Sequence, residues 1–545
     1  MKKCYRLVAI LLLLSAIVIG AVAFACKQKN EGQSSSSIGV DTEQTYPTAT
    51  TKVYSVPNGV DLYGGAELYV NGEEVPLYRT KYNQEQVWSA EASNRKDTGF
   101  AYFDFDGEVE IKIVYATEQY KAFLVRPSAY KVFPKYNESE NSVTFTLKHA
   151  DNYVVEPVQN CKQVIYLFCN QIEEPEFTPT DSNVIYFEAG LHTAQNDSRI
   201  GANNVLRVYS GQTVYLADGA VLRCKIQGDN VSNVRITGRG IIDGSTFERN
   251  PNKGTVTVPI EFNRCNNVTV ENVVLNDPAG WCVQYYFVTD GKIDNVRILS
   301  SRSNGDGVSL QSCQNIEVSR VFARTWDDCL VVKNYPLWSN RAQHGTTKNI
   351  TFEYCTLWAD LAQCMEVGYE TVGAIMEDIT FNNVTVLHAM HKPVMSIHNG
   401  NNANVKRVKF TNITVEDASM GLGDAGSNRQ LLDITVAYSP TWSDGHTVTS
   451  LGSVDGVTVF NVWVYSAKTP IEYRIIGSQD KRSAYFGSAH FAKNVTITGV
   501  KVGTVVQTED SAKITVNEYS SAIKFEQLPS SQITGAQVYG LESRV

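Results

Sequence analysis

Three carboxylates in one short stretch of this chain are placed where they could do chemistry together. Asp306 follows Asn304-Gly305, and the pair Asp327-Asp328 comes 21 residues later. Between them, Ile316-Glu317-Val318-Ser319-Arg320-Val321 alternates apolar and polar residues, the signature of a strand. If one coil of a solenoid takes somewhat over twenty residues, these acids lie on neighbouring coils. Stacked strands are about 4.8 Å apart, so the three carboxylates can converge on one patch. One protonated and one ionised carboxyl at such range is the equipment of glycosidic-bond hydrolysis. Asp-Gly and Asp-Asp are also ordinary turn residues; the one-coil spacing of all three favours the chemical reading.

The elements that must carry these acids are repeats. From Asn183 onward the chain returns to one short pattern, as in Asn267-Val268-Thr269-Val270-Glu271-Asn272-Val273. The equivalent apolar position falls at Ile236, Val270, Ile293, Val318, Phe352, Phe381, Phe410, Val459 and Ile497, with gaps of 34, 23, 25, 34, 29, 29, 49 and 38. The shortest gaps set the coil length and the longer ones are coils with inserted loops. Asn recurs two residues after the apolar position, which suits a turn bonded to its neighbours along the stack. Helical periodicity is essentially missing, so the expected fold is all-β, with a right-handed parallel β-helix over 183–545.

Ahead of it, 46–174 shows short alternating strands such as Ala66-Glu67-Leu68-Tyr69-Val70 and Val109-Glu110-Ile111-Lys112-Ile113, separated by Asn71-Gly72 and Asp106-Gly107 turns. That pattern predicts a β-sandwich. At the very start, Lys2, Lys3 and Arg6 precede an apolar run from Leu7 to Ala25, read as an export signal over 1–25. Ala25-Cys26 followed by a serine-rich stretch predicts a lipid-bearing Cys26 on a flexible tether over 26–45, at the surface of a bacterial cell; simple secretion is the competing reading. Net charge is −9 and no basic patch is present, which argues against nucleic acid as a partner. Nine cysteines lie beyond Cys26 without zinc spacing, several in apolar strand segments, and read as buried thiols.

Asn304-Gly305-Asp306-Gly307, followed one coil later by Asp327-Asp328-Cys329, resembles the NTD and DD motifs of the polygalacturonase family, glycoside hydrolase family 28. Ile236-Thr237-Gly238-Arg239-Gly240-Ile241-Ile242-Asp243-Gly244 is similar to the coil that precedes the active site there. Two departures stand out. Where the family has Gly-His-Gly, this chain has Cys364-Met365-Glu366-Val367-Gly368; where it has Arg-Ile-Lys, this chain has Ser396-Ile397-His398. Family 49, the dextranases and isopullulanases, also keeps three Asp, lacks those basic segments and places a β-sandwich first. The resemblance therefore implies an inverting hydrolase of a polysaccharide, with a neutral α-glucan expected ahead of pectin. It assigns Asp327 as general acid and Asp306 with Asp328 as holders of the water, and it requires no metal or organic cofactor.

Other candidates are substrate contacts. Trp281 and Trp326 are offered as sugar-stacking floors, against the burial usual for Trp. Gln363, Glu366 and Lys333 are offered as hydroxyl-binding groups, with a solvated corner the commoner fate for Lys333. His388, His391 and His398 fall close together with no acidic partner evident in sequence, and His398 is the best of them for substrate. The loops 334–347, with Trp338 and His344, and 416–455, with Trp442 and His446, are expected to wall a groove. A β-helix can also be a polysaccharide lyase or a non-catalytic glycan binder. A lyase needs a cation-binding acid cluster beside a basic residue, and a pure binder has no use for the three Asp.

Overall fold

The computed structural model describes residues 49–84, 94–249, 257–334, 345–420, 429–439, 450–468, 470–479 and 487–540. Cys26, Trp338, His344, Trp442 and His446, with the leader and tether, lie outside the described residues. Among those described, no helix is long and apolar enough to cross a membrane.

The first element group is a sandwich of a six-stranded and a five-stranded sheet. Strands such as Ala66–Val70 and Val109–Tyr115 bury every second residue, so Leu68, Val70, Ile111 and Ile113 meet Phe103, Phe105, Val155 and Leu167 of the facing sheet. Asn152–Pro157 and Ile165–Asn170 are buried at every position. The reason is that the second face of the six-stranded sheet is also covered. Phe100, Tyr102, Val154, Tyr166 and Phe168 pack on Val221, Ile241, Val274, Leu299, Phe322 and Trp358 from the outer side of the β-helix.

The β-helix is built from a 20-stranded sheet and an 11-stranded sheet of stacked, parallel coils. The apolar positions read from the sequence are one another's register partners without a slip, from Ile236–Val270 through Phe352–Phe381 to Val459–Ile497. Their side chains point inward and form one continuous core. Phe352, Phe381 and Phe410 stack face to face at centroid distances of 4.6 and 5.1 Å. The recurring asparagines turn the coil. Asn272, Asn295, Asn383, Asn412 and Asn461 all have φ between 50° and 63°, the left-handed region that asparagine tolerates. They are bonded along the stack, with the Asn295 amide donating to Asn272 Oδ1 at 2.8 Å and that of Asn461 to Asn412 Oδ1 at 2.7 Å. All nine described cysteines are unpaired thiols, eight of them buried.

Candidate active site

The three aspartates sit at the corner where the chain passes into the 11-stranded sheet. Val308–Gln311 pairs with Leu330–Asn334, and that strand pairs with Met365–Thr371, so neighbouring coils are in direct contact here. The pairing of Val308 with Leu330 stacks Asp306 on Asp328, and the Gly307 N–H donates to the Asp328 carbonyl at 2.8 Å. The glycines flanking Asp306 are there for space. A Cβ on Gly307 would run into the Cys329 carbonyl of the next coil, and one on Gly305 into Ser300 Oγ. Arg302 holds this loop from behind with a buried two-pronged bond to Asp277, at 3.0 and 2.9 Å.

Each carboxylate has a different setting. Asp306 is almost fully enclosed and its Oδ2 accepts from Lys333 Nζ at 3.2 Å and Ser309 Oγ at 3.4 Å. Asp328 is 8% exposed and accepts the Gln363 backbone N–H at 3.1 Å. Asp327 is half-buried, the most open of the three, and accepts backbone N–H groups of Asn304 and Asp328 at 3.0 and 3.1 Å. Desolvation and the nearby Asp306 charge push the Asp327 carboxyl up to about 7, against the pull of Lys333. Burial and the charges of Asp327 and Asp306 push Asp328 well above the carboxylate range. The acids therefore lie close enough to oppose one another's ionisation.

Lys333 corrects the sequence expectation of a solvated corner. It is 7% exposed and lies 3.2 Å from Asp306 and 3.5 Å from Glu370. The register shifts between Val332 and Asn334, and that irregularity leaves Lys333 without a partner in the next coil. Burial disfavours its charge, but Asp306, Glu370, Asp328 and Asp327 together hold the ammonium protonated. Trp281, also 8% exposed, places its ring 5.8 Å from that ammonium.

Beyond the aspartates, the outward-facing residues of the sheet form a polar column. Glu366, Ser396, Asp433 and Arg474 are consecutive register partners, and His398 stands two residues from Ser396. His398 lies between two carboxylates, 2.9 Å from Glu366 Oε1 and 3.0 Å from Asp433 Oδ2, and both charges hold its imidazole protonated well above its usual value in spite of burial. Tyr369 stacks on its ring at 4.2 Å. Arg474 Nε completes the chain with a 2.8 Å bond to Asp433 Oδ1.

The other sequence candidates fall as follows. Trp326 is a correction: it has no exposed surface and belongs to the packing beneath the corner, so it offers no face to a sugar. Gln363 touches Asp328 through its backbone. His388 and His398 do have acidic partners, contrary to the reading from sequence. His388 bonds Asp417 at 2.9 Å and Glu156, from the sandwich, at 2.8 Å, so it and His398 each have both ring nitrogens engaged by carboxylates. Asp433, Arg474 and Glu370 were missed. They come from other coils with no local motif, and only the register of the stack joins them to the site.

With this geometry in place, the comparison with known proteins is informative. Residues 210–423 match the model of glycosyl hydrolases family 28. The family 28 segment contains Asp306, Asp327, Asp328, Lys333, Glu366 and His398, and stops short of Asp433 and Arg474. Polygalacturonase QRT2 of Arabidopsis thaliana is 29% identical over 115 residues, 19% of this chain and 26% of that protein. A probable polygalacturonase of Vitis vinifera is 26% identical over 173 residues, 30% of this chain and 35% of that protein. The chain thus spans about a quarter to a third of the curated relatives it matches. Among solved structures, Dex49A from Penicillium minioluteum aligns over 90% of this chain and 92% of its own, with a TM-score of 0.52 and 13% identity. That likeness is one of fold, and its extent takes in the sandwich as well as the β-helix. The β-helix clan that the Asn304–Gly307 and Asp327–Cys329 stretches resemble is the one the comparisons return.

Proposed function

We propose that this protein is an inverting glycoside hydrolase acting on a polysaccharide, with a neutral α-glucan as the preferred substrate. The observation that carries the reaction is the contrast between Asp327 and Asp306. Asp327 is open to the surface and its carboxyl keeps a proton up to about pH 7. Asp306 is enclosed and bonded to a buried ammonium. In the proposed step the Asp327 carboxyl gives its proton to the glycosidic oxygen as the bond to C1 breaks. Water attacks C1 from the other side and passes a proton to Asp306, with Asp328 orienting it. No covalent intermediate forms, so the configuration at C1 is inverted.

Charge supports the neutral substrate. Among the described residues, Lys333, His398 and Arg474 are each already held by acids from among Asp306, Glu366, Glu370 and Asp433, and Arg249 is engaged by Asn304 Oδ1 beside Asp327. Recognition of a uronate needs an uncommitted cation, ideally an arginine fork. Ser396 and His398 stand where a basic pair is expected in family 28. Trp281, Gln363, Glu366 and His398 are proposed to line the subsites. Attachment of the exported protein through a lipid on Cys26 is part of the same reading; a Cys26→Ala variant should leave the membrane fraction.

The test is a panel of dextran, pullulan, polygalacturonate and arabinan, with wild type and Asp327→Asn side by side. Release of reducing ends should be fastest on a neutral α-glucan, and the amide variant should lose about 10²- to 10⁴-fold. Proton NMR of the first product should show inverted configuration. Polygalacturonate, the substrate in the matched relatives' names, as the fastest polymer would overturn the neutral reading. Retained configuration, or near-normal turnover by Asp327→Asn, would overturn the mechanism.

A further inference from the structure

At a different corner of the coil, where the asparagine turns of the 20-stranded sheet face the sandwich, lies an open cleft of about 410 Å³. Its floor holds an unusual charge. Arg297 is 1% exposed, and its guanidinium donates to Asn152 Oδ1 at 2.9 Å, Asn170 Oδ1 at 2.6 Å and the Asn295 carbonyl at 3.1 Å. All three acceptors are neutral, and among the described residues no carboxylate forms an ion pair with it. Two acids adjoin those acceptors in sequence: Asp151 is bonded to the Tyr130 hydroxyl and the Asn152 N–H, and burial pushes its carboxyl up, while Asp294 is bonded to Arg320. Enclosing a cation without a directly bonded anion is unfavourable, so an anion entering the cleft would gain from the charge of Arg297.

Two more guanidiniums line the same space. Arg239 bonds Glu173 at 2.9 Å at the rim, and Arg320 bonds Asp294 while its guanidinium lies 4.8 Å from the Tyr539 ring. Tyr539, half exposed, meets Tyr354 edge to face at 5.4 Å. Amides from Asn272, Asn295 and Asn383 face the opening between them. Arg239 and Arg320 are already paired with acids, so the uncommitted charge that suits a carboxylate is that of Arg297, while amides suit hydroxyls and tyrosine rings, here Tyr539 under the Arg320 guanidinium, suit the C–H face of a pyranose.

We infer that this cleft is a second, non-catalytic saccharide site that takes a carboxylate-bearing sugar unit. It is independent of the aspartate corner in residues and in charge, since that corner carries an excess of acids. Such a site would hold the enzyme on an acidic polysaccharide that accompanies its substrate. A free polycarboxylate shares part of this chemistry, so the experiment separates the two.

The experiment is isothermal titration of the full chain carrying Asp327→Asn, so that nothing is turned over, with trigalacturonate, isomaltotriose and citrate. Trigalacturonate should bind. Adding Tyr539→Ala or Arg320→Gln, each checked for an unchanged denaturant midpoint, should weaken it roughly tenfold or more. Isomaltotriose, a ligand for the aspartate corner, should bind with an affinity that neither substitution changes, and citrate should bind far more weakly than trigalacturonate. No heat with trigalacturonate, or unchanged affinity in Arg320→Gln, would overturn the site. Citrate binding as tightly as trigalacturonate would reduce it to a small-anion site and overturn the saccharide assignment.

Discussion

Replacing Lys333 by Met removes the cation on which the proposed division of labour depends. The ammonium lies 3.2 Å from Asp306 and 3.5 Å from Glu370, and all three side chains are largely enclosed. Unit charges at 3.2 Å attract by about 5 kcal/mol at an effective dielectric constant of about 20. Breaking one side of a buried pair costs roughly 3–5 kcal/mol, much of it from the charge left behind. The cheapest relief is for the acid cluster to bind a proton. At 1.36 kcal/mol per pH unit, the acidic limb of activity should move up by roughly 2–4 pH units. An acidic limb that starts in the ordinary carboxylate range, about 4, then stands at about 6–8, so kcat/KM at pH 7 should fall by up to about tenfold and recover at alkaline pH. Asp327 and Asp328, whose protonation Lys333 now opposes, should hold their protons more tightly too. Lys333→Arg keeps the charge and should stay within about tenfold of wild type. The measurement is kcat/KM against pH on the best polymer of the panel, with denaturant unfolding alongside to separate misfolding from chemistry. A Met variant that folds, keeps the wild-type pH profile and loses less than about threefold would refute the electrostatic argument.

Three further outcomes are expected. Because the acid form of Asp327 is the working one and its carboxyl is pushed up to about 7, activity should fall as pH rises through about 7; an alkaline limb two or more units away would remove Asp327 as the acid. His398 is held charged between Glu366 and Asp433, so its contribution to stability is complete below the unfolded histidine value of about 6.5 and is lost as pH rises through its elevated folded value. Asp433 is depressed by the same pair and loses its contribution in acid. The gap in unfolding midpoint between wild type and His398→Gln should thus be widest between about pH 4 and 6.5; a pH-independent gap would contradict the charged triad. Arg126 bonds Glu156 of its own sheet at 2.6 and 3.1 Å and ties the sandwich to the β-helix through Glu416 at 2.5 Å. Arg126→Met should cost roughly 3–5 kcal/mol in denaturant unfolding, and an unchanged midpoint would show that this network adds nothing.

The stack was legible in the sequence because its period is carried by the residues that pack. Ile236, Val270 and Phe352 must be apolar and must recur, whatever loops intervene. Asp306 and Asp328 were legible for the same reason, since they stand next to the short, uninterrupted coils. Lys333 was misjudged because its fate depends on a local register shift and on Glu370 in the next coil, neither of which has a composition signal. Asp433 and Arg474 follow long insertions that break the countable spacing, so their place beside His398 was invisible. Trp326 was misjudged because alternation shows which face a residue takes in a strand but not how a corner closes over it. The partner of His388 comes from Glu156, more than 200 residues away in another sheet, beyond any pattern in one coil.

The cladding of the β-helix by the sandwich also divides the molecule into a part that cannot vary and a part that can. Under the six-stranded sheet, successive coils turn with the same short step: Glu271 to Val274, Asp294 to Arg297, Ser319 to Phe322, Glu353 to Thr356. An extra residue there would lift a side chain such as Phe322 or Trp358 out of the shared packing with Tyr166 and Phe168. At the two corners that flank the 11-stranded sheet the connections differ widely in length, from the two residues Ser312 and Cys313 to the sixteen of 437–452. Inserts at those corners cost the stack little, because loop closure grows only slowly with length. Descendants of this chain can therefore exchange the connections at those corners while the coils that carry Asp306 and Asp328 stay on the same frame.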